Sequence, residues 1–174
     1  MLSKIIHINN RGSGFPDALD ETVRMAQVSG LSNKESLHLR LCAEEMLSLA
    51  RSVTGEMEAS FWLDAEGKEF ALHMTTQTVM DKEKRYQLLS SATSRKNEAA
   101  NTFLGKLRDV FEEAMTADAD HTVYDVPFGD VQTESNGGDE WDRYERSILR
   151  RVADNVKIAI RGGMVEMTVA KKFA

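Results

Sequence analysis

The chain of 174 residues contains one cysteine, two prolines and no long apolar run. The single cysteine, Cys42, leaves no internal disulfide and no cysteine-based metal cluster. A membrane helix needs about 20 consecutive apolar residues, and no stretch of this sequence approaches that length. The apolar segment at Met1–Ile8 is too short for a signal peptide. We therefore expect a cytoplasmic protein without a membrane partner.

Basic residues are also in the minority, with 22 Lys and Arg against 28 Asp and Glu and a net charge of -6. Nucleic-acid binding needs a clustered basic surface that neutralises phosphates, so no nucleic-acid partner is expected. The acidic excess lies between Asp109 and Asp142, where eleven carboxylates occur without one lysine or arginine. This segment is predicted to be a solvated loop, and the alternative is a docking surface for a basic partner.

Capping residues and apolar spacing define the first elements. An apolar run over Ser3–Asn9 suits a strand. Pro16 favours the first turn of a helix that stops near Gly30. The capping box Ser32–Glu35 starts a second helix with an apolar stripe of 3.6-residue period, and Gly55 ends it.

Alternation of polar and apolar residues and further helical patterns predict the remaining elements. The predicted elements are a β-hairpin over Met57–Met74, a short helix capped by Asp81 and ending at Leu89, a polar loop over Ser90–Asn97, a helix over Thr102–Met115, an irregular excursion over Thr116–Gly138, a helix over Asp139–Ala153, and a hairpin over Val156–Val169. Antiparallel hairpins dominate and helices sit on one side of the pattern. We therefore predict a single α+β domain over residues 1–174, a two-layer α/β sandwich with a mixed, mainly antiparallel sheet and helices on one face.

The most distinctive segment of the second predicted helix is Ala43–Leu49, with the sequence Ala-Glu-Glu-Met-Leu-Ser-Leu. It resembles the glutamate-bearing helix of the gyrase, histidine-kinase and heat-shock-chaperone ATPase superfamily, specifically the anti-sigma-factor serine-kinase branch. The resemblance covers roughly Leu31–Gly105 and, more loosely, the terminal hairpin. That family has Glu-x-x-x-Asn, with the glutamate as base and the asparagine as Mg²⁺ ligand. Glu45 takes the base position here, whereas Leu49 replaces the asparagine and offers no oxygen to a hard cation.

The family's next motif is Asp-x-Gly-x-Gly, whose aspartate reads the adenine amino group. The strand Phe70–Met74 leads instead into a threonine-rich segment. In the preferred alignment Thr75 replaces the aspartate, Gln77 the first glycine and Val79 the second. A threonine hydroxyl can still hydrogen-bond a base, as a weaker neutral partner.

The polar segment Ser90–Asn101 corresponds to the family's lid over the triphosphate. Backbone amides at the start of the following helix favour an anion, so Lys96 and Asn97 are candidate phosphate contacts. The alternative is a polar loop without a ligand. Gly105 is the glycine retained from the last family motif, and the neighbouring Lys106 is a further candidate for phosphate contact.

The resemblance implies ATP as the cofactor, and the leucine substitution argues against Mg²⁺ and against efficient ATPase or kinase turnover. It also implies a protein partner of the sigma-factor or antagonist type and is compatible with a homodimer. The expected site consists of Glu45 as catalytic residue and of Ser48, Thr75, Gln77, Lys96, Asn97, Gly105 and Lys106 as nucleotide-binding residues, with no metal ligand assigned.

Three functions remain open at this level. The first is a nucleotide-binding regulatory domain that signals through a protein partner. The second is a pseudo-ATPase, its pocket filled by Leu49 and Val79, that only binds protein. The third is an active serine kinase or ATPase with metal ligands relocated to Ser48, Glu44 or Asp81.

Overall fold

The computed structural model of the protein describes residues 1–9, 11–54, 58–100 and 148–174. Its elements are β1 (Ile6–Asn9), α1 (Phe15–Val28), α2 (Asn33–Thr54), β2 (Glu58–Glu66), β3 (Glu69–Gln77), α3 (Lys82–Ser91), a 3-10 turn (Glu98–Ala100), β4 (Asn155–Arg161) and β5 (Met164–Lys172). Residues 148–152 are helical. The predicted helix over 102–115, the irregular excursion over 116–138 and most of the helix over 139–153 lie outside the described residues.

The helices begin where their capping chemistry predicts. The capping box before α2 is confirmed, because the Ser32 amide donates to Glu35 Oε2 at 2.7 Å and the Glu35 amide donates to Ser32 Oγ at 3.3 Å. Asp81 caps α3 by accepting from the Lys84 amide at 2.8 Å. Each contact satisfies a backbone donor that has no partner within the first turn of the helix.

The five strands form one sheet in the order β1-β2-β3-β5-β4. Every pairing between these described strands is antiparallel. Both predicted hairpins, β2-β3 and β4-β5, are confirmed. Their turns contain Gly67 at φ 59° and Gly162 at φ 60°, a backbone conformation that glycine adopts without steric cost.

Side chains alternate between the two faces of the sheet. The apolar residues at every second position are buried and join one core with the helices, including Phe61, Leu63, Leu72, Met74, Val165, Met167 and Ile158. Helix α1 packs on β2, α2 on β5, and α3 on β4 and α2. The α+β two-layer architecture is confirmed, and the helices cover one face of the sheet. The other face carries His7, Ser60, Trp62, His73, Thr75 and Thr168, and we call it the open face.

Within the described part of the chain, no helix combines the length and the apolar character needed to cross a membrane.

Candidate functional site

The carboxylate predicted as catalytic lies at the border of the buried face of α2. Glu45 is half-buried, and Ser48, almost one turn further on, is exposed. Leu49 is 8% exposed and belongs to the core, as predicted for a residue that packs rather than ligates. The asparagine position of the resemblance is therefore filled by an apolar side chain in contact with the core.

The other carboxylates considered as relocated metal ligands already have local partners. Glu44 forms an i,i+4 ion pair with Arg40 at 3.2 Å, and Asp81 caps α3. Among the residues described, no three His, Cys, Asp or Glu side chains come together to hold a metal ion. The described residues thus provide no alternative cation site built from these side chains.

Two adjacent threonines at the end of β3 point to opposite faces of the sheet. Thr75 is half-buried on the open face, where it pairs with Ser60 across the strands. Thr76 is 3% exposed on the helix-covered side, and its hydroxyl donates to the Glu58 carbonyl oxygen at 3.0 Å. Since Glu45 belongs to the helix layer, the sheet separates it from Thr75. Of the two threonines, Thr76 is the one on the same side of the sheet as Glu45.

The face on which each threonine lies follows from the sequence. Phe70, Leu72 and Met74 define the buried positions of β3, and a strand repeats every two residues. Continuing that period places Thr76, not Thr75, on the face toward the helices. The predicted residue, Thr75, lies on the opposite, open face.

Thr75, Thr76 and Gln77 line a cleft of about 520 Å³ at the corner where β1, β2, β3 and β5 meet, mainly on the open face. Its other polar side chains are those of His7, Asn9, Ser13, Glu58 and Ser60. Ser60 Oγ lies 3.4 Å from His7 Nδ1, and Asn9 Oδ1 accepts from the amides of the turn that follows β1. The structure therefore brings two of the predicted nucleotide-binding residues together, but away from Glu45 and Ser48.

The predicted phosphate loop lies along β4, one of the two edge strands of the described sheet. The Asn97 amide is 5% exposed and pairs with both backbone groups of Ile160: Nδ2 donates to the carbonyl oxygen at 2.9 Å, and Oδ1 accepts from the amide at 2.8 Å. Thr93 acts in the same way four residues earlier. Its amide donates to the Val156 carbonyl oxygen at 2.8 Å, and its hydroxyl accepts from the Val156 amide at 2.7 Å.

These contacts occupy the outward-facing backbone groups of Val156 and Ile160. Both residues belong to β4, an edge strand of the described sheet that would otherwise offer these groups to another chain. Lys96, between the two capping residues, is exposed. Gly105 and Lys106 lie outside the described residues.

Two titratable side chains near these regions have shifted pKa values. Burial raises the pKa of the Cys42 thiol to about 12; the charge of Lys171 opposes the shift, and the charges of Asp154 and Glu45 add to it. A thiol with such a pKa is not a nucleophile at neutral pH. On the open face, burial lowers the pKa of His73, against a smaller opposing effect of the Asp64 charge.

Comparison with known proteins assigns neither a family nor a function to the chain. No family model matches the chain, and no curated protein or solved structure matches it either.

Proposed function

We propose that the protein is a regulatory nucleotide-binding domain of the histidine-kinase-like ATPase type, one that binds ATP without a catalytic metal ion and signals through a protein partner. The supporting observation is the placement of Glu45 and Thr76. The half-buried carboxylate of α2 and the buried hydroxyl at the end of β3 both lie on the helix-covered side of the sheet. The cytoplasmic location and a partner of the sigma-factor or antagonist type belong to the same proposal and rest on the sequence resemblance.

The burial of Leu49 determines the chemistry expected of this site. A buried leucine has no lone pair for Mg²⁺, which takes oxygen ligands. Without a metal ion, a carboxylate close to the phosphates repels them, by about 1 kcal/mol for two unit charges 4 Å apart in water. Glu45 therefore weakens ATP binding in our proposal instead of supporting turnover.

A second candidate, the pseudo-ATPase that only binds protein, is favoured by specific observations. Leu49 fills the metal position, Thr75 faces away from the helix layer, and the Asn97 amide is occupied by Ile160. If the pocket is filled in this way, the helix-covered side retains only a packing role.

Calorimetric titration with ATP, once with EDTA and once with Mg²⁺, separates these functions. The proposal expects similar affinity in both buffers and, for Glu45→Gln, an affinity about fivefold higher because the repulsion is removed. Glu44→Gln is the matched control, since it removes a neighbouring carboxylate that is paired with Arg40, and it should leave the affinity unchanged. Absence of binding in both buffers would contradict the nucleotide proposal and leave the second candidate. Mg²⁺-dependent turnover that Glu45→Gln abolishes would establish an active enzyme.

A second matched pair locates the base. Thr76→Val and Thr75→Val remove the same hydroxyl group from adjacent residues on opposite faces. If the nucleotide lies between α2 and the sheet, Thr76→Val lowers the affinity by about three- to tenfold, the value of one hydrogen bond, and Thr75→Val has no effect. The reverse result would move the site to the cleft on the open face. Because Thr76→Val also removes the contact with Glu58, its folded state is checked by circular dichroism before titration.

A further inference from the structure

The cleft of about 520 Å³ at the corner of the sheet is lined by polar side chains from neighbouring strands. Paired strands lie about 4.8 Å apart, and residues on one face of a strand repeat about every 7 Å. Two rows across three strands therefore cover on the order of 10 by 7 Å, which is enough for one six-membered ring with its substituents. The register of β1, β2 and β3 places the polar side chains in two such rows, His7–Ser60–Thr75 and Asn9–Glu58–Gln77.

The hydrogen-bonding groups of the cleft include both donors and acceptors. Ser60 Oγ lies 3.4 Å from His7 Nδ1, and the hydroxyl groups of serine and threonine can take either role. Asn9 Oδ1 already accepts from two backbone amides of the following turn, at 3.1 and 3.2 Å, so this side chain offers its amide nitrogen as a donor. The ionised carboxylate of Glu58 only accepts. A ligand with several hydroxyl groups, each of which donates and accepts, matches this mixture.

The charge of the cleft argues against ligands that carry a full charge. Among the described residues that line it there is the carboxylate of Glu58 and no lysine or arginine. A phosphate group would therefore meet a like charge without an opposite one. An ammonium group could pair with Glu58, but it would leave the donors of Asn9 and Gln77 unmatched, which costs free energy where they lose water.

An aromatic platform adjoins the cleft. Trp62 follows Ser60 on the same face of β2, about 7 Å further along the strand. Its ring stacks on His73 of β3 with centroids 5.2 Å apart and an interplanar angle of 13°. Because β2 lies between β1 and β3, the second face of the indole ring is turned toward β1. Burial lowers the pKa of His73, so the stacked pair is mainly uncharged at neutral pH.

We propose that the cleft binds one unit of a neutral oligosaccharide and that the next unit stacks on Trp62. A sugar ring has hydroxyl groups around its edge, which match the two polar rows, and C–H groups on its faces, which pack against an aromatic ring. A volume of about 520 Å³ lies within the range of small-molecule sites. The two rows lie mainly on the opposite face of the sheet from Glu45, so this inference does not depend on the proposed nucleotide site.

NMR titration of the isotope-labelled full chain with neutral tetrasaccharides tests the inference. The probes are the α-1,4- and β-1,4-linked glucose chains and the β-1,4-linked mannose and galactose chains. At least one of them should produce saturable shifts of the Ser60 and Thr75 amide signals and of the Trp62 indole signal below about 20 mM, which corresponds to millimolar affinity. Ser60→Ala should weaken this binding about three- to tenfold, the value of one hydrogen bond. Trp62→Ala should weaken it at least about tenfold.

The control for the hydroxyl group is Ser52→Ala, which makes the same change at an exposed position of α2 and should leave the affinity unchanged. Trp62→Phe keeps an aromatic ring and should bind more tightly than Trp62→Ala. If no tetrasaccharide shifts these signals, the inference is overturned. Binding that neither Ser60→Ala nor Trp62→Ala weakens, in variants with wild-type circular dichroism, overturns the assignment to this cleft. If adenosine or ATP shifts these signals and no sugar does, the cleft binds a nucleotide and the inference is also wrong.

Discussion

Replacement of Asn97 should destabilise the fold and not act on a phosphate. The amide of Asn97 makes two hydrogen bonds to Ile160 and accepts a third from the Ala99 amide at 3.1 Å. Asn97→Ala leaves the N–H and C=O groups of Ile160 unpaired. A buried polar group without a partner costs about 1–3 kcal/mol, so we expect a loss of about 2–4 kcal/mol in the free energy of unfolding, measured by urea titration with circular dichroism.

The aspartate variant tests the direction of each hydrogen bond. In Asn97→Asp, the carboxylate can accept from the Ile160 amide, but it has no proton to donate to the Ile160 carbonyl oxygen. The variant should be destabilised at pH 7. Burial beside a carbonyl oxygen raises the pKa of this carboxyl group in the folded state, so the stability should partly recover as the pH falls from 7 and level off near pH 4, the pKa in the unfolded chain. The asparagine side chain does not titrate, so the difference in the free energy of unfolding between the variant and the wild type should shrink as the pH falls.

Lys96→Ala is the control, because Lys96 is adjacent and exposed. It should change the stability by less than about 0.5 kcal/mol. Our reasoning would be refuted by an Asn97→Ala variant as stable as the wild type. A variant of that stability with selectively lost ATP binding would return Asn97 to the phosphate role predicted from the sequence.

Three further outcomes follow from local contacts. Gly14→Ala should destabilise the fold by several kcal/mol, because its new Cβ would lie 2.1 Å from a backbone oxygen of β1. Gly12→Ala, at a similar φ and with open space around it, should cost only about 1–2 kcal/mol; equal losses in denaturant titrations would contradict the clash. Cys42, with its pKa raised to about 12 by burial, should react with a thiol reagent only on unfolding, and fast labelling of the folded protein would show otherwise. The Arg24 guanidinium holds the pKa of Glu21 below its usual 4.5, so the stability advantage over Glu21→Gln should be present above pH 4.5 and disappear as the pH falls through the lowered value. An advantage independent of pH would contradict this pairing.

The sequence alone predicted those helices and strands that are determined by residues close together in the chain. The capping box Ser32–Glu35 and the cap Asp81 are contacts over three residues, and alternation within each strand marks both hairpins. These features depend on a few neighbouring residues, so no knowledge of the rest of the chain was needed. The two-layer architecture followed from them because each apolar face has to be buried against another.

The roles of the polar residues could not be predicted in this way. The partner of Asn97, Ile160, lies 63 residues away, and nothing near Asn97 indicates that an edge strand needs a cap. A polar loop before a helix looks the same in sequence whether it binds phosphate or covers β4. The two-residue period of the strand predicts that Thr75 and Thr76 lie on opposite faces of the sheet. Only the structure shows that the helices cover the face of Thr76 and leave that of Thr75 open.

The position of the nucleotide is tested most directly by NMR of the threonine methyl groups during addition of ATP in EDTA. Thr75 and Thr76 both line the cleft at the strand ends, but their side chains lie on opposite sides of the sheet, so the Thr76 methyl group reports the side toward the helices and the Thr75 methyl group reports the open face. The proposal predicts a saturable shift of the Thr76 signal while the Thr75 signal stays unchanged. A shift confined to Thr75, or no shift of either signal at saturating ATP, would contradict a nucleotide site between α2 and the sheet.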